Sequence, residues 1–313
     1  MRHSPALAGG TLFHQTLADW LLHPKLDPTQ ICDVHFAKMY DAAREQYRVT
    51  NGFYPMGREL GEVAETGALI KAMMGNYRDY YTTPLPEGFT CIMPEQAVVV
   101  DIPNAISACH ECNGKGTKKY YDGSYVVAVE DCQSCAGTGE IQHQLEGTFD
   151  AIIADRNGKV FVLDHKTYGA RPKVPTIENA FQFRCYVWAA RQLGIDNVVG
   201  FLYDGAFKRP SPPRGKTMDD LFFRMPVTYN EAQMDEIGAF LAQKACMMYD
   251  TTPTSALLNF NRRWEGCWDC SVEELCTAIS RSEDIDWLIN ERYTHRERTT
   301  AFADDIEIST EQD

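Results

Sequence analysis

The chain has 313 residues, 44% hydrophobic and 24% charged, enough to bury a sizeable core as one large domain or two smaller ones. A formal net charge of −14 argues against a protein that coats nucleic acid through bulk charge, so any such groove must be a local basic surface. No apolar run of about 18 residues occurs, and M-R-H-S-P-A-L-A-G-G lacks a secretory signal's apolar stretch, so neither a membrane span nor export is expected.

Residues 10–48 read as mostly helical, broken near Pro24 and Pro28, with Cys32 inside the stretch. Gly52–Pro55 is a turn before a helix expected over 57–74. That helix carries Glu59, Glu62 and Glu65, and the last two share a face. Residues 95–102 read as a strand.

Two copies of C-x-x-C-x-G-x-G follow, 109–116 and 132–139. They bring Cys109, Cys112, Cys132 and Cys135, a four-thiolate set suited to tetrahedral Zn²⁺. The glycines let each knuckle turn tightly and aim N–H groups at the sulfurs. Between the copies a small hairpin is expected, with Lys118, Lys119, Tyr120 and Tyr121. These side chains can stack on single-stranded nucleic acid, or they pack the ribbon. Most of the 11 cysteines fall in tight metal-ligand spacings, which points away from a secreted disulfide scaffold.

A strand over Ile141–Ala154 leads to a turn at Asn157-Gly158 and a second strand ending Asp164-His165-Lys166. A two-residue turn would pair Asp150 with His165 and put Asp150 and Asp164 on opposite faces. A three-residue loop, Arg156-Asn157-Gly158, would leave Gly158 left-handed and pair Asp150 with Asp164. We expect the second, because alternation then sets Lys166 beside both carboxylates and turns His165 away. Two close carboxylates repel unless a cation lies between them, and hard oxygen ligands suit Mg²⁺ or Mn²⁺. The apolar run Val160–Leu163 implies a buried central strand, where an unpaired charge is costly.

A helix is expected over Thr176–Gly194, with Ile177, Phe181, Cys185 and Trp188 as its apolar stripe, and Gln182 adjacent to Tyr186 on another face. Strands over Asn197–Phe207 and Leu221–Thr228 flank a Pro/Gly loop bearing Lys208, Arg209, Arg214 and Lys216. A helix over Glu231–Tyr249 follows. The fold class is therefore α/β, a central mixed sheet flanked by helices. Near the end, Cys267, Cys270 and Cys276 stand in C-x2-C-x5-C, one thiolate short of a cluster. Cys91, Cys185 and Cys246 read as small core residues, and the acidic tail as disordered.

G-x-x-D followed by hydrophobic-D-x-K resembles the PD-(D/E)xK nuclease superfamily. The Gln182-x-x-x-Tyr186 pair after it is similar to the RecB-like branch, which includes RecB and AddB nuclease domains and CRISPR-associated RecB-like exonucleases. The resemblance implies a restriction-endonuclease-like core in which Asp150, Asp164 and the His165 carbonyl hold Mg²⁺ or Mn²⁺. Lys166 would then position water, and Gln182 and Tyr186 would contact DNA or tune the metal. That branch carries a histidine or glutamate on its first helix; Gly61 occupies roughly that place here, leaving Glu62 or Glu65 as substitutes. It also implies that Cys32 joins Cys267, Cys270 and Cys276 around a 4Fe–4S cluster, although the usual proline after the upstream cysteine is missing. A second zinc site or plain buried cysteines are the alternatives there. The knuckle repeat resembles the cysteine-rich module of DnaJ-type chaperones.

The expected organisation is 1–107 as helices and the start of the core, 108–140 as the inserted zinc module and 141–250 as the catalytic core. Residues 251–298 form the iron–sulfur segment and 299–313 the tail. The expected function is a metal-dependent DNA nuclease, an exonuclease of recombination, repair or phage metabolism, working in a bacterial or phage-infected cytoplasm. A protein partner on the zinc module is an added expectation. A non-catalytic DNA-binding protein on the same fold, or a zinc-module adaptor, are the rival readings.

Overall fold

A computed structural model describes residues 5–55, 60–251, 273–281 and 283–292. The chain divides into two compact units, Arg2–Ala245 and Cys246–Asp313 with Met1. The first begins with α1 (Pro5–Leu22), α2 (Pro28–Asn51) and α3 (Gly61–Tyr81). Asp27 caps α2 by accepting from the Thr29 N–H at 2.9 Å, and Pro28 takes the first helical position, where no N–H is needed. The third helix runs past its expected end at 74. Ile70, Met73, Met74 and Tyr77 continue one buried stripe at spacings of three and four, which sustains it to Tyr81. This stripe packs with Leu12, Phe13, Leu17, Trp20 and Cys32 into one core.

The strands are β1 (Thr90–Met93), β2 (Gln96–Ala108), β3 (Thr117–Asp122), β4 (Tyr125–Asp131), β5 (Glu140–Phe149), β6 (Ala151–Ala154), β7 (Val160–Tyr168), β8 (Val198–Phe207) and β9 (Phe222–Thr228). The main sheet has the order β1-β6-β7-β8-β9, with β7 and β8 parallel and its other neighbours antiparallel. It is therefore a mixed sheet. A parallel pair needs a crossover, supplied by α4 (Val174–Glu178) and α5 (Phe181–Gln192). The single helix expected over 176–194 is thus two, broken at Asn179–Ala180. The break turns Phe181 outward, 51% exposed and edge-on to Phe240 of α6 (Glu231–Tyr249). Phe183 takes the inward place instead, stacked on Phe201 at 4.3 Å.

The strand expected over 141–154 is also two. β5 pairs with β2 in a separate ribbon, whereas β6 joins the main sheet, and Asp150 lies where the chain passes between them. Burial changes at that point: β5 alternates exposed with half-buried residues, while Ala151, Ile152 and Ile153 are fully buried. The β3–β4 hairpin stands at the far end of the ribbon, between the two cysteine knuckles. The second unit contains α7 (Glu273–Ser280) and α8 (Ile285–Arg292), with Ala278 and Leu288 buried. Among the described residues no helix is long and apolar enough to cross a membrane.

Candidate active site

Backbone register assembles the site. β6 and β7 pair from Ala154↔Val160 to Ala151↔Leu163, so the next pair outward is Asp150 with Asp164. The connection is the three-residue loop. The Asp155 N–H donates to the Lys159 carbonyl at 2.9 Å, the Gly158 N–H to the Asp155 carbonyl at 3.0 Å, and Gly158 has φ 74°. The Asp155 carboxylate pins the turn by accepting from the Asn157 and Lys159 N–H groups.

Asp164 has a side chain only 2% exposed. Its Oδ1 accepts from Lys166 Nζ at 3.0 Å, while Oδ2 is buried with no hydrogen-bond partner among the described residues. Asp150 accepts the His165 N–H at 2.6 Å and meets His14 Nδ1 of α1 at 3.2 Å. Burial pushes the Asp164 carboxyl up to about 6, with the neighbouring Asp150 charge adding to it and Lys166 opposing. Burial also pushes Asp150 up, but the His14 hydrogen bond and charge, with His165, outweigh it and hold that carboxyl below its ordinary value. Conversely, burial lowers His14, and Asp150 more than restores it, so the imidazole is raised. Two carboxylates, one with an orphaned buried oxygen, and an imidazole are ligand types that divalent ions take.

His14 was not legible as a site residue. Glu62 and Glu65 are exposed on α3, and the helical side chain that contacts Asp150 comes from α1 instead. Glu95 is a further neighbour. It precedes the Gln96↔Phe149 pair, which sets it beside Asp150; burial and the Asp150 charge raise its carboxyl. On α5, Gln182 Nε2 donates to the Tyr186 hydroxyl at 2.7 Å, and the Tyr186 ring lies edge-on to Phe149, 5.5 Å away, one residue before Asp150. Lys166 Nζ stands 5.9 Å from the centre of the Phe183 ring. The structure thus gathers Asp150, Asp164, Lys166, Gln182 and Tyr186 around one end of β7.

The His165 side chain turns to the opposite face, as alternation requires. Its Nδ1 lies 3.0 Å from Asp204 on β8, the residue in register with it, and Asp204 in turn is in register with Arg224 on β9. Arg224 Nε is 3.4 Å from Asp204 Oδ1, and Tyr77 of α3 donates its hydroxyl to Asp204 Oδ2. Burial pushes Asp204 up, yet Arg224 and the His165 contact hold it below the usual carboxylate range.

At the ribbon's far end Cys109, Cys112, Cys132 and Cys135 are all buried, with their sulfurs within 4.8 Å of one another. Tetrahedral coordination with metal–sulfur bonds of about 2.3 Å separates sulfurs by about 3.8 Å. Cys109–Cys132 and Cys112–Cys135 stand at 3.8 and 3.7 Å. The Gly116 and Gly139 N–H groups donate to the sulfurs of Cys112 and Cys135, 3.2 and 3.3 Å away. Both glycines have positive φ, and a Cβ on either would collide with a carbonyl of the opposite knuckle. The four cysteines could hold a metal ion.

Among the iron–sulfur candidates, Cys32 is fully buried in the helical core, where burial pushes its thiol up to about 11. Cys276 lies on α7, and Cys267 and Cys270 fall outside the described residues. Glu59 and the acidic tail fall outside them too. In the basic loop Arg209, Arg214 and Lys216 are exposed, with Lys216 paired to Asp220 at 3.3 Å.

The family model of the PD-(D/E)XK nuclease superfamily matches residues 2–277. The solved structure of SSO0001 is 15% identical over 75% of this chain and 81% of that one, with a TM-score of 0.31. No curated protein matches the chain.

Proposed function

The chain belongs to the PD-(D/E)XK nuclease superfamily, and from that premise we propose that it is a divalent-metal-dependent DNA nuclease that degrades DNA from ends. The observation that carries the metal site is the orphaned, buried Oδ2 of Asp164 opposite Asp150. Asp150, Asp164 and His14 would hold Mg²⁺ or Mn²⁺. The His165 carbonyl would be a further ligand: it lies on the same strand side as the N–H that reaches Asp150, where β6 no longer runs. When bound, the ion supplies charge neutralisation on the attacked phosphate and eases deprotonation of water. Lys166 orients that water and stabilises charge developing on the phosphate. Gln182 orients the Tyr186 hydroxyl, and the pair contacts the DNA strand beside the scissile bond. Exonuclease action rests on the likeness of Gln182-x-x-x-Tyr186 to RecB-like exonucleases.

Zn²⁺ is the ion proposed for the four cysteines, on their thiolate chemistry and spacing. That module is the surface proposed for a protein partner. A 4Fe–4S cluster on Cys32, Cys267, Cys270 and Cys276 rests on the likeness to RecB-like nucleases; iron and sulfide analysis of an anaerobic preparation tests it. The nuclease reading is tested with end-labelled linear DNA and the same sequence as a closed circle, each with Mn²⁺ and with EDTA. Metal-dependent loss of the linear DNA alone is expected, and its absence in an Asp164→Ala protein. Unchanged cleavage by Asp164→Ala, or binding without cleavage by the native chain, rejects the catalytic assignment.

A further inference from the structure

A buried row of charge runs behind the catalytic strand, and the cleavage chemistry does not touch it. Asp204 is 1% exposed, His165 4% and Tyr77 fully buried. Burying an ion pair is weakly stabilising at best, and apolar residues of the same volume often serve a fold as well. The row therefore calls for a reason beyond packing.

Its place in the sheet supplies one. His165 carries its ring into the row and its backbone N–H to Asp150, at 2.6 Å. On its Asp150 side the 164–165 peptide has no strand to hold it, because β6 begins only at Ala151 and Asp150 has already left the ladder. On its other side the strand stays in register with β8 through His165↔Asp204; on the Asp150 side the added hold on His165 comes through its ring. Asp204 holds Nδ1 at 3.0 Å, and the His14 ring stands edge-on at 6.2 Å. Asp204 is itself fixed by Tyr77 and Arg224, and Arg224 is tied to the Tyr77 hydroxyl and the Pro84 carbonyl, both at 2.7 Å.

We infer that Asp204 and His165 are positioning residues for the divalent metal: their hydrogen bond, clamped by Tyr77 and Arg224, orients the 164–165 peptide so that its N–H keeps Asp150 in ligand geometry. The inference rests on the metal-dependent reading above. Groups that orient metal ligands from behind typically change affinity by about 10–100-fold when removed.

The test is calorimetric Mn²⁺ binding to the full chain without DNA, alongside the Mn²⁺ dependence of cleavage. H165L removes the Nδ1 donor and keeps an apolar filler, whereas H165N restores a nitrogen donor near that position. H165L is expected to bind Mn²⁺ about 10–100-fold more weakly, with H165N recovering most of the loss. D204N is expected to shift in the same direction as H165L. Wild-type Mn²⁺ affinity in H165L, or better binding by H165L than by H165N, overturns the inference and leaves the row to packing. Should H165L not fold, Y77F carries the test, since it removes one donor to Asp204 and keeps the ring; unchanged Mn²⁺ affinity there overturns the inference equally. Failure of the native chain to bind more Mn²⁺ than D164A sinks the metal reading itself, a separate outcome.

Discussion

His14 of α1 and Asp150 at the β5–β6 junction are 3.2 Å apart although 136 residues separate them in the chain. The contact ties the N-terminal helix to the end of the sheet that carries Asp150 and Asp164. His14→Ala is expected to weaken Mn²⁺ binding by at least about tenfold and to raise the Mn²⁺ needed for half-maximal cleavage to match. Its metal-free melting temperature should fall, because Asp150 loses the partner that offsets its burial. Wild-type Mn²⁺ affinity in that protein would remove His14 from the ligand set.

Metal binding must displace protons. Asp164 is pushed up to about 6 by burial and Asp150, and His14 is raised by Asp150. Mn²⁺ affinity should therefore climb as pH rises through about 6, with proton release on binding below that point. Between the unfolded carboxylate value of about 3.9 and 6, the folded chain keeps a proton on Asp164 that the unfolded chain has lost. By itself this makes metal-free stability fall as pH rises across the window. The raised His14 acts in the same direction at higher pH. The Mn²⁺-induced gain in Tm should accordingly be larger at about pH 7.5 than at about pH 5. Equal gains at both values would contradict the assignment of Asp164.

Lys166 bonds one Asp164 oxygen at 3.0 Å and leaves the other open. In Lys166→Met the competing ammonium is gone, so Mn²⁺ binding should hold or tighten. The cleavage rate at saturating Mn²⁺ should fall by about 10²–10³. Single-turnover kinetics beside calorimetry would separate the two effects, and parallel losses of binding and rate would make Lys166 a scaffold residue instead.

Gly139 has φ 82°, and its N–H donates to the Cys135 sulfur. Gly139→Ala should strain the knuckle and weaken retention of Zn²⁺ by about 10–100-fold, read as faster release to a chelator. Cys112→Ser should lower zinc content outright. Zinc retained as in the native chain by both proteins would argue against a four-thiolate site.

The hairpin was legible from Asn157-Gly158 between two apolar runs, but the turn left two registers open; the gathering of Asp150, Asp164 and Lys166 on one face was what favoured the register that the structure has. The four-cysteine group was legible because its spacing is local and repeated. His14 was not, since choosing among the eight histidines depends on where α1 docks, a tertiary fact with no periodic signature. The exchange of sheets at Asp150 left a trace that the continuous-strand reading passed over. Alternation in Ile141–Glu146 gives way to the unbroken apolar Ala151-Ile152-Ile153. The Asp204 row was hidden because each member reads singly as an ordinary strand or helix residue, and only the β7–β8–β9 register aligns them.

β5 runs without interruption from Glu140, next to the last knuckle glycine, to Phe149, next to Asp150. At about 3.4 Å per residue its 10 residues span up to about 34 Å. The ribbon is thus a ruler. Removing two facing residue pairs from β2 and β5 would bring the cysteine module about 7 Å nearer the carboxylates while keeping every side chain on its own face. Removing one pair would shorten it by half as much and turn the module over. Whatever the module carries is held at a distance that the strand lengths decide, and with an orientation that they share with the register shift between Asp101 and Ile106 of β2.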